Sequence, residues 1–133
     1  MRASGNMTVL VADDNTLVRD TICAILESEG LSVITTTDGE GALRLAEERR
    51  PDAIILDVLM PRLDGLAALL RLKGEESTRE IPVMLVSGMG TEEVASIAAA
   101  YGAAEFLEKP FRPGELMAAV RRMLRLATAS PTA

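Results

Sequence analysis

The residues of this chain that could carry out chemistry stand at the ends of short apolar runs. Asp13 and Asp14 follow MTVLVA, Asp57 ends AIILD, Ser87 ends PVMLVS, and Lys109 follows AEFLE. Three carboxylates brought together repel one another, and a hard cation that prefers oxygen ligands, such as Mg²⁺, removes that repulsion. A lysine beside them binds phosphate as a point charge, and a hydroxyl can donate to another phosphoryl oxygen. The set predicts phosphoryl transfer, with one carboxylate as the nucleophile that becomes an acyl phosphate.

The elements that position these residues follow an alternating pattern, which indicates five β-α units. Apolar or β-branched runs alternate with segments whose apolar residues recur at helical spacing. This pattern predicts a parallel sheet with helices on both faces, and ligands bind at the carboxyl ends of such strands. The predicted strands are 7–12, 31–36, 53–57, 82–87 and 104–108. The predicted helices are 15–29, 39–49, 63–73, 92–101 and 113–126, with Asp38 and Thr91 as N-caps.

The composition limits the class of protein. A chain of 133 residues, 48% hydrophobic and 26% charged, fits one globular domain. The net charge of −6 argues against non-specific binding to nucleic acid or to an anionic membrane. The absence of histidine excludes serine–histidine catalysis, so any phosphohistidine belongs to another protein. Cys23 is the only cysteine and is expected to be a buried structural thiol. The chain shows no signal peptide and no long apolar segment, which favours the cytoplasm.

Longer motifs surround the chemical residues. The run from Asp57 to Gly65 reads DVLMPRLDG, residues 87–88 are Ser-Gly, and Lys109 is followed by Pro-Phe. Together with the two aspartates at 13–14, these motifs resemble the receiver domain of two-component response regulators over residues 7–126. The resemblance implies an α/β flavodoxin-like fold, a doubly wound (βα)5 domain with a parallel five-stranded sheet in the order 2-1-3-4-5. Residues 1–6 are then an N-terminal extension, and residues 127–133 are expected to be a disordered tail.

The same resemblance implies separate roles within the acidic site. Asp57 accepts a phosphoryl group from a phosphohistidine on a sensor histidine kinase or a histidine phosphotransfer protein. Asp14 and Asp57 bind Mg²⁺ directly, with the backbone carbonyl of Leu59 as the third protein ligand, and Asp13 acts through a metal-bound water. The domain is expected not to be an enzyme, beyond promoting its own phosphorylation and dephosphorylation.

Phosphorylation is then expected to change the surface of the domain. By resemblance, Lys109, Ser87 and Gly88 contact the phosphoryl group, and Ser87 draws the ring of Phe106 inward. This movement reshapes the face formed by helix 4, strand 5 and helix 5, which a downstream protein reads. The protein is expected to be a monomer, or a weak homodimer that associates through this face.

Three positions depart from the family pattern. Phe106 stands where the family often has tyrosine, and a fixed core role for this ring is the alternative to a switch. Leu59 and Met89 are apolar at two positions that flank the phosphoryl group in this family, where polar residues can help to align hydrolytic water. We therefore predict slow self-dephosphorylation.

Several alternatives stay open at this point. Only seven residues follow the last predicted helix, which favours a stand-alone receiver of the chemotaxis or phosphorelay type. A receiver cut from a longer regulator or hybrid kinase is the close alternative. A Mg²⁺-dependent phosphohydrolase with an aspartyl nucleophile is more distant, because the haloacid dehalogenase type carries a second acid where Leu59 stands here. A nucleotide- or flavin-binding module is disfavoured, because no Gly-rich loop follows the first strand.

Overall fold

The computed structural model describes residues 7–88 and 91–129, and within these ranges five strands alternate with five helices. The strands are all parallel and lie in the order β2-β1-β3-β4-β5. The predicted doubly wound flavodoxin-like fold is confirmed. The elements are β1 Thr8–Ala12, α1 Thr16–Ser28, β2 Ser32–Thr36, α2 Gly39–Arg49, β3 Ala53–Asp57, α3 Gly65–Gly74, β4 Val83–Ser87, α4 Thr91–Ala100, β5 Glu105–Glu108 and α5 Pro113–Ala129.

The two faces of the sheet bury separate aliphatic cores. Leu10 and Ile54 point into the core covered by α2, α3 and α4, while Val9 and Ile55 point into the core covered by α1 and α5. Every residue of β3 and β4 is buried. Continuous apolar runs are typical of parallel strands that are covered on both faces. The sheet is therefore held from both sides, and its carboxyl edge is left for the chemical residues.

Side-chain caps fix where three of the helices begin. Asn15, Asp38 and Asp64 have extended backbones, and each accepts a hydrogen bond from the backbone amide three residues later, at 2.6–3.0 Å. Such bonds satisfy amides that have no partner within the helix. The cap at Asp38 is the one predicted from the sequence.

Several element boundaries differ from the prediction. The first, second, fourth and fifth strands each begin one residue later than expected, and α1 is shorter by one residue at each end. The third helix begins at Gly65, because Asp64 caps it with an extended backbone. Thr91 is the first residue of α4, so its predicted place before the helix is wrong. The last helix continues to Ala129, into the segment expected to be a disordered tail. Residues 1–6 and 130–133 lie outside the described ranges.

Some apolar side chains are less buried than expected. Cys23 is only half-buried, because the buried positions of α1 are Ile22 and Leu26, and partial burial raises the pKa of its thiol. Ala98 of α4 is buried, whereas Ile97 of the same helix and Tyr101 after it are 42% and 38% exposed. Across residues 7–88 and 91–129, no helix has both the length and the apolar character that crossing a membrane requires.

Candidate functional site

The carboxyl ends of β1 and β3 meet where the strand order reverses, because β1 pairs with both β2 and β3. Ala12 lies opposite Leu56 in the register of β1 and β3, so Asp13 and Asp14 emerge beside Asp57. In an open α/β sheet this crevice is the usual ligand site. Short local patterns had predicted the strand ends, and the register of the sheet brings these three aspartates together.

The three aspartates form a compact carboxylate cluster. One carboxylate oxygen from each of Asp13, Asp14 and Asp57 lies within 4.8 Å of the others. Asp13 and Asp57 are 1% and 6% exposed, whereas Asp14 is exposed. The amide of Asn15 donates to Oδ1 of Asp13 at 2.9 Å, and the guanidinium of Arg19 donates to the Asp13 carbonyl at 2.8 Å. These bonds hold the turn after β1 and fix the buried carboxylate.

Lys109 provides the positive charge of the cluster. Its Nζ lies 3.1 Å from Oδ1 of Asp57 and 3.5 Å from Oδ2 of Asp13. Its backbone amide donates to the carbonyl of Ser87 at 2.8 Å, which extends the β4–β5 pairing past the end of β5. The peptide bond from Lys109 to Pro110 is cis. The sheet therefore delivers the ammonium group directly to two of the three carboxylates.

The electrostatics of Asp57 reflect this setting. Burial raises the pKa of its carboxyl above the ordinary value of 3.8, and the charges of Asp13 and, to a smaller extent, Asp14 act in the same direction. Lys109 lowers the pKa by a hydrogen bond and by its charge, without reversing the shift. The ionised carboxylate is thus costly in this place, and a bound cation would favour it. A hard cation with oxygen ligands fits the chemistry of the three side chains.

The other predicted site residues lie around this cluster. Ser87 is 2% exposed at the end of β4, and Leu59 is 59% exposed in the loop after β3. Phe106 is partly buried against the core that α2, α3 and α4 cover. A Cβ on Gly88 would lie 3.9 Å from the Lys109 side chain, so ordinary contact would allow a side chain there. Met89 lies outside the described residues, and the roles assigned to all these positions stay predictions.

One contact near the site was not predicted. The guanidinium of Arg62, in the loop after β3, pairs with Asp38 at the start of α2, with Nη2 2.7 Å and Nε 2.8 Å from Oδ2. The sequence had identified Asp38 only as a helix cap. The two residues are 24 positions apart, and no local pattern links such a pair.

Comparison with known proteins agrees with this geometry. A family model for the response regulator receiver domain matches residues 9–121. Response regulator MprA of Mycolicibacterium vanbaalenii is 41% identical over 120 residues, which cover 90% of this chain and 51% of MprA. The chain spans about half the length of the curated relatives it matches.

Solved structures of receiver domains also resemble this chain. The receiver domain of a sensor histidine kinase from Pseudomonas aeruginosa, with a magnesium ion coordinated in its active site cleft, has a TM-score of 0.81 and 30% identity. The match covers 92% of this chain and 98% of that one. The chemotaxis response regulator CheY4 of Vibrio cholerae has a TM-score of 0.83 and 30% identity, with coverage of 90% and 99%. The fold, the acidic crevice and the sequence match agree, and this chain belongs to the family of response regulator receiver domains.

Proposed function

We propose that this domain accepts a phosphoryl group on Asp57 from a phosphohistidine of a sensor histidine kinase or a histidine phosphotransfer protein. The contact that carries the proposal is Lys109 Nζ at 3.1 Å from Asp57, at the edge of the three-carboxylate cluster. A carboxylate oxygen of Asp57 attacks the phosphorus atom while the P–N bond of the phosphohistidine breaks. The imidazole nitrogen leaves with the bonding electron pair and takes up a proton, and Asp57 becomes an acyl phosphate.

The acidic cluster is the proposed Mg²⁺ site. Asp13, Asp14 and Asp57 offer carboxylate oxygens within 4.8 Å of one another, and the backbone carbonyl of Leu59 follows two residues after the last of them. Mg²⁺ prefers such oxygen ligands, and when bound it would neutralise charge on the carboxylates and on the transferred phosphoryl oxygens. The raised pKa of Asp57 supports this assignment, because burial, and next the charge of Asp13, make its ionised form costly, and a bound cation would offset that cost.

The residues of the chain have separate roles in this proposal. Lys109 holds the carboxylate of Asp57 before transfer and contacts a phosphoryl oxygen afterwards, while Asp13 keeps the ammonium group within the site. The hydroxyl of Ser87 donates to a second phosphoryl oxygen. Phe106 follows an inward movement of Ser87, since β5, which carries this ring, pairs with β4, which ends in Ser87. The supporting feature is this strand pairing, in which Phe106 lies opposite Leu85, two residues before Ser87.

The proposed surface for the phosphodonor protein is an apolar depression beside Lys109. Leu17, which lines it, is 76% exposed. An exposed apolar patch next to a polar site is typical of an interaction surface. The depression joins the first turns of α1 to the loop after β5, and its lining comprises Leu17, Val18, Thr21, Gly88, Lys109, Pro110 and Phe111.

We propose that the output is a change in the face formed by α4, β5 and α5, read by a downstream protein. Ile97 on α4 and Tyr101 directly after it are partly exposed and offer apolar contacts for that partner or for weak self-association. The domain then acts as a switch, with its own phosphorylation and dephosphorylation as the only reactions it promotes. The proposal applies equally to a single-domain regulator and to a receiver joined to an output domain.

Intact-mass spectrometry after incubation with acetyl phosphate or phosphoramidate tests the proposal. The wild type is expected to gain one phosphoryl group with Mg²⁺ and none in EDTA. Asp57→Asn should gain none. Asp20→Asn, the same change on an exposed position of α1, should be labelled like the wild type. Absence of labelling of the wild type by several donors at high Mg²⁺ would contradict the proposed function.

A further inference from the structure

The loop between β3 and α3, residues 58–64, connects directly to Asp57. Its ends are joined by the amide of Gly65, which donates to the carbonyl of Val58 at 2.8 Å. Val58 and Met60 are buried and Leu63 packs against the same core, whereas Leu59, Pro61 and Arg62 are exposed. Apolar packing therefore anchors the loop at three residues, and the exposed stretch at Pro61 and Arg62 depends on other contacts.

The ion pair between Arg62 and Asp38 provides that contact. Nε and Nη2 of the guanidinium both reach Oδ2 of Asp38, at 2.8 and 2.7 Å. The other oxygen of Asp38 accepts the cap hydrogen bond from the amide of Gly41 at 2.6 Å. Asp38 is 8% exposed and has partners on both oxygens, whereas the side chain of Arg62 is 63% exposed. The carboxylate of Asp38 thus joins the loop after Asp57 to the start of α2.

The backbone around this pair is tightly packed and strained. A Cβ on Gly39, the first residue of α2, would overlap the carbonyl oxygen of Leu63, so the loop lies directly against the helix. Arg62 has a φ of 66°, in the left-handed region that L-residues other than Asn, Asp and Gly rarely occupy. A strained backbone conformation persists only when the surrounding structure stabilises it. The ion pair with Asp38 is a polar side-chain contact that stabilises the positive φ of Arg62.

We propose that Arg62 is a positioning residue of the acidic site, whose ion pair with Asp38 keeps loop 58–64 in the arrangement that binds a divalent cation beside Asp57. This inference rests on the proposed function, since it concerns the same cation. Without the pair, the loop samples other conformations, and the apparent affinity for the cation falls with the fraction of molecules that are competent to bind. Arg62 does not need to touch the cation to have this effect.

Calorimetric titration with Mg²⁺ measures the effect directly. We expect Arg62→Ala and Arg62→Gly to bind Mg²⁺ about three- to tenfold more weakly than the wild type. Arg62→Gly removes the pair while relieving the positive φ, so a weaker affinity in this variant cannot come from backbone strain. The matched control is Arg50→Gly. Arg50 is exposed at the end of α2 and is the other non-glycine residue with positive φ in the described part of the chain, at 48°. Its Mg²⁺ affinity should be unchanged.

A second set of variants tests whether Arg62 acts through Asp38. Asp38→Asn removes the charge but keeps an oxygen that can cap α2. If the pair is the cause, Asp38→Asn alone also weakens Mg²⁺ binding, and Asp38→Asn combined with Arg62→Gly weakens it no further than Arg62→Gly alone. Effects that multiply in the double variant would overturn the inference.

The outcomes separate this inference from the proposed function. A folded Arg62→Gly with a lower melting temperature but the Mg²⁺ affinity of the wild type would show that Arg62 only stabilises the fold. If far-UV circular dichroism shows that the glycine variant is unfolded, the Mg²⁺ affinity of Arg62→Lys tests the inference instead. It keeps the charge but loses the planar fork, and an affinity about two- to threefold weaker is expected. An unchanged affinity there would overturn the inference. A wild type that binds no Mg²⁺ would instead refute the proposed function itself.

Discussion

Replacing Asp57 with asparagine should make the metal-free protein more stable, although it removes the proposed phosphoacceptor. The Asp57 carboxylate is repelled by Asp13 and Asp14, whose oxygens lie within 4.8 Å, and is attracted by Lys109 at 3.1 Å. For effective dielectric constants from about 80 to about 20, the attraction of Lys109 is worth roughly 1.3–5.4 kcal/mol, and the repulsion of Asp13, at the 4.8 Å limit, is worth at least roughly 0.9–3.5 kcal/mol. The exposed Asp14 adds a smaller repulsion, so the charges nearly cancel, and burial of the carboxylate makes the net effect destabilising.

We therefore expect Asp57→Asn to raise the free energy of unfolding by about 1–2 kcal/mol in EDTA at pH 7. For a domain of this size, thermal unfolding should then show a melting temperature about 3–10 °C higher. The matched control is Asp20→Asn, an exposed aspartate of α1, which should change the stability by at most about 0.5 kcal/mol.

The pH dependence identifies the cause. The pKa of Asp57 is higher in the folded protein than its ordinary value of 3.8, so its ionisation destabilises the fold. This destabilisation is fully present above the folded-state pKa and is lost as the pH falls towards 3.8 and below, where the carboxyl is protonated in both states. The difference in free energy of unfolding between Asp57→Asn and the wild type should therefore become smaller on acidification. Saturating Mg²⁺ should also reduce this difference at pH 7, because the cation binds the folded wild type.

Two results would refute this reasoning. A melting temperature of Asp57→Asn at or below that of the wild type, in EDTA at pH 7, would mean that the attraction of Lys109 outweighs repulsion and burial. An advantage that persists unchanged in acid would mean that the asparagine stabilises by some route other than removal of the charge.

Two further predictions concern packing and phosphoryl lifetime. Gly65→Ala should lower the free energy of unfolding, measured in urea, by about 1–3 kcal/mol, because the added Cβ would overlap the carbonyl of Asp57. The control Gly114→Ala has open space around it and should be neutral or stabilise the protein by up to about 1 kcal/mol. An unchanged urea midpoint for Gly65→Ala would contradict this packing. Leu59→Asn combined with Met89→Glu should shorten the lifetime of the acyl phosphate several-fold, followed by intact mass against time. An unchanged lifetime would refute the predicted slow self-dephosphorylation.

Much of the fold could be predicted because its signals are local. Apolar or β-branched runs of five or six residues predicted the strands, and apolar residues at helical spacing placed the helices to within a few residues. Asp57 and Lys109 could be assigned to one edge because every parallel strand of such a sheet delivers its carboxyl end there. The boundaries were less accurate. Asp64, for example, caps α3, but the sequence had placed it inside that helix.

The order of strands and the depth of each side chain set the electrostatics of the site. Lys109 pairs with Asp13 and Asp57, which are buried, while Asp14 stays exposed, although the sequence presents the two adjacent aspartates alike. The raised pKa of Asp57 depends on its burial and on the charges that strand register brings near it.

The amino-acid sequence by itself determined the types of element, the chemical residues and the strand ends that carry them, because these depend on interactions between near neighbours along the chain. Only the tertiary structure decided which charges meet. Lys109 and Asp13 are 96 positions apart, and Arg62 and Asp38 are 24 apart. Their contacts exist because parallel pairing aligns the strand ends and packing presses the loop after β3 against α2, and no local preference encodes either arrangement.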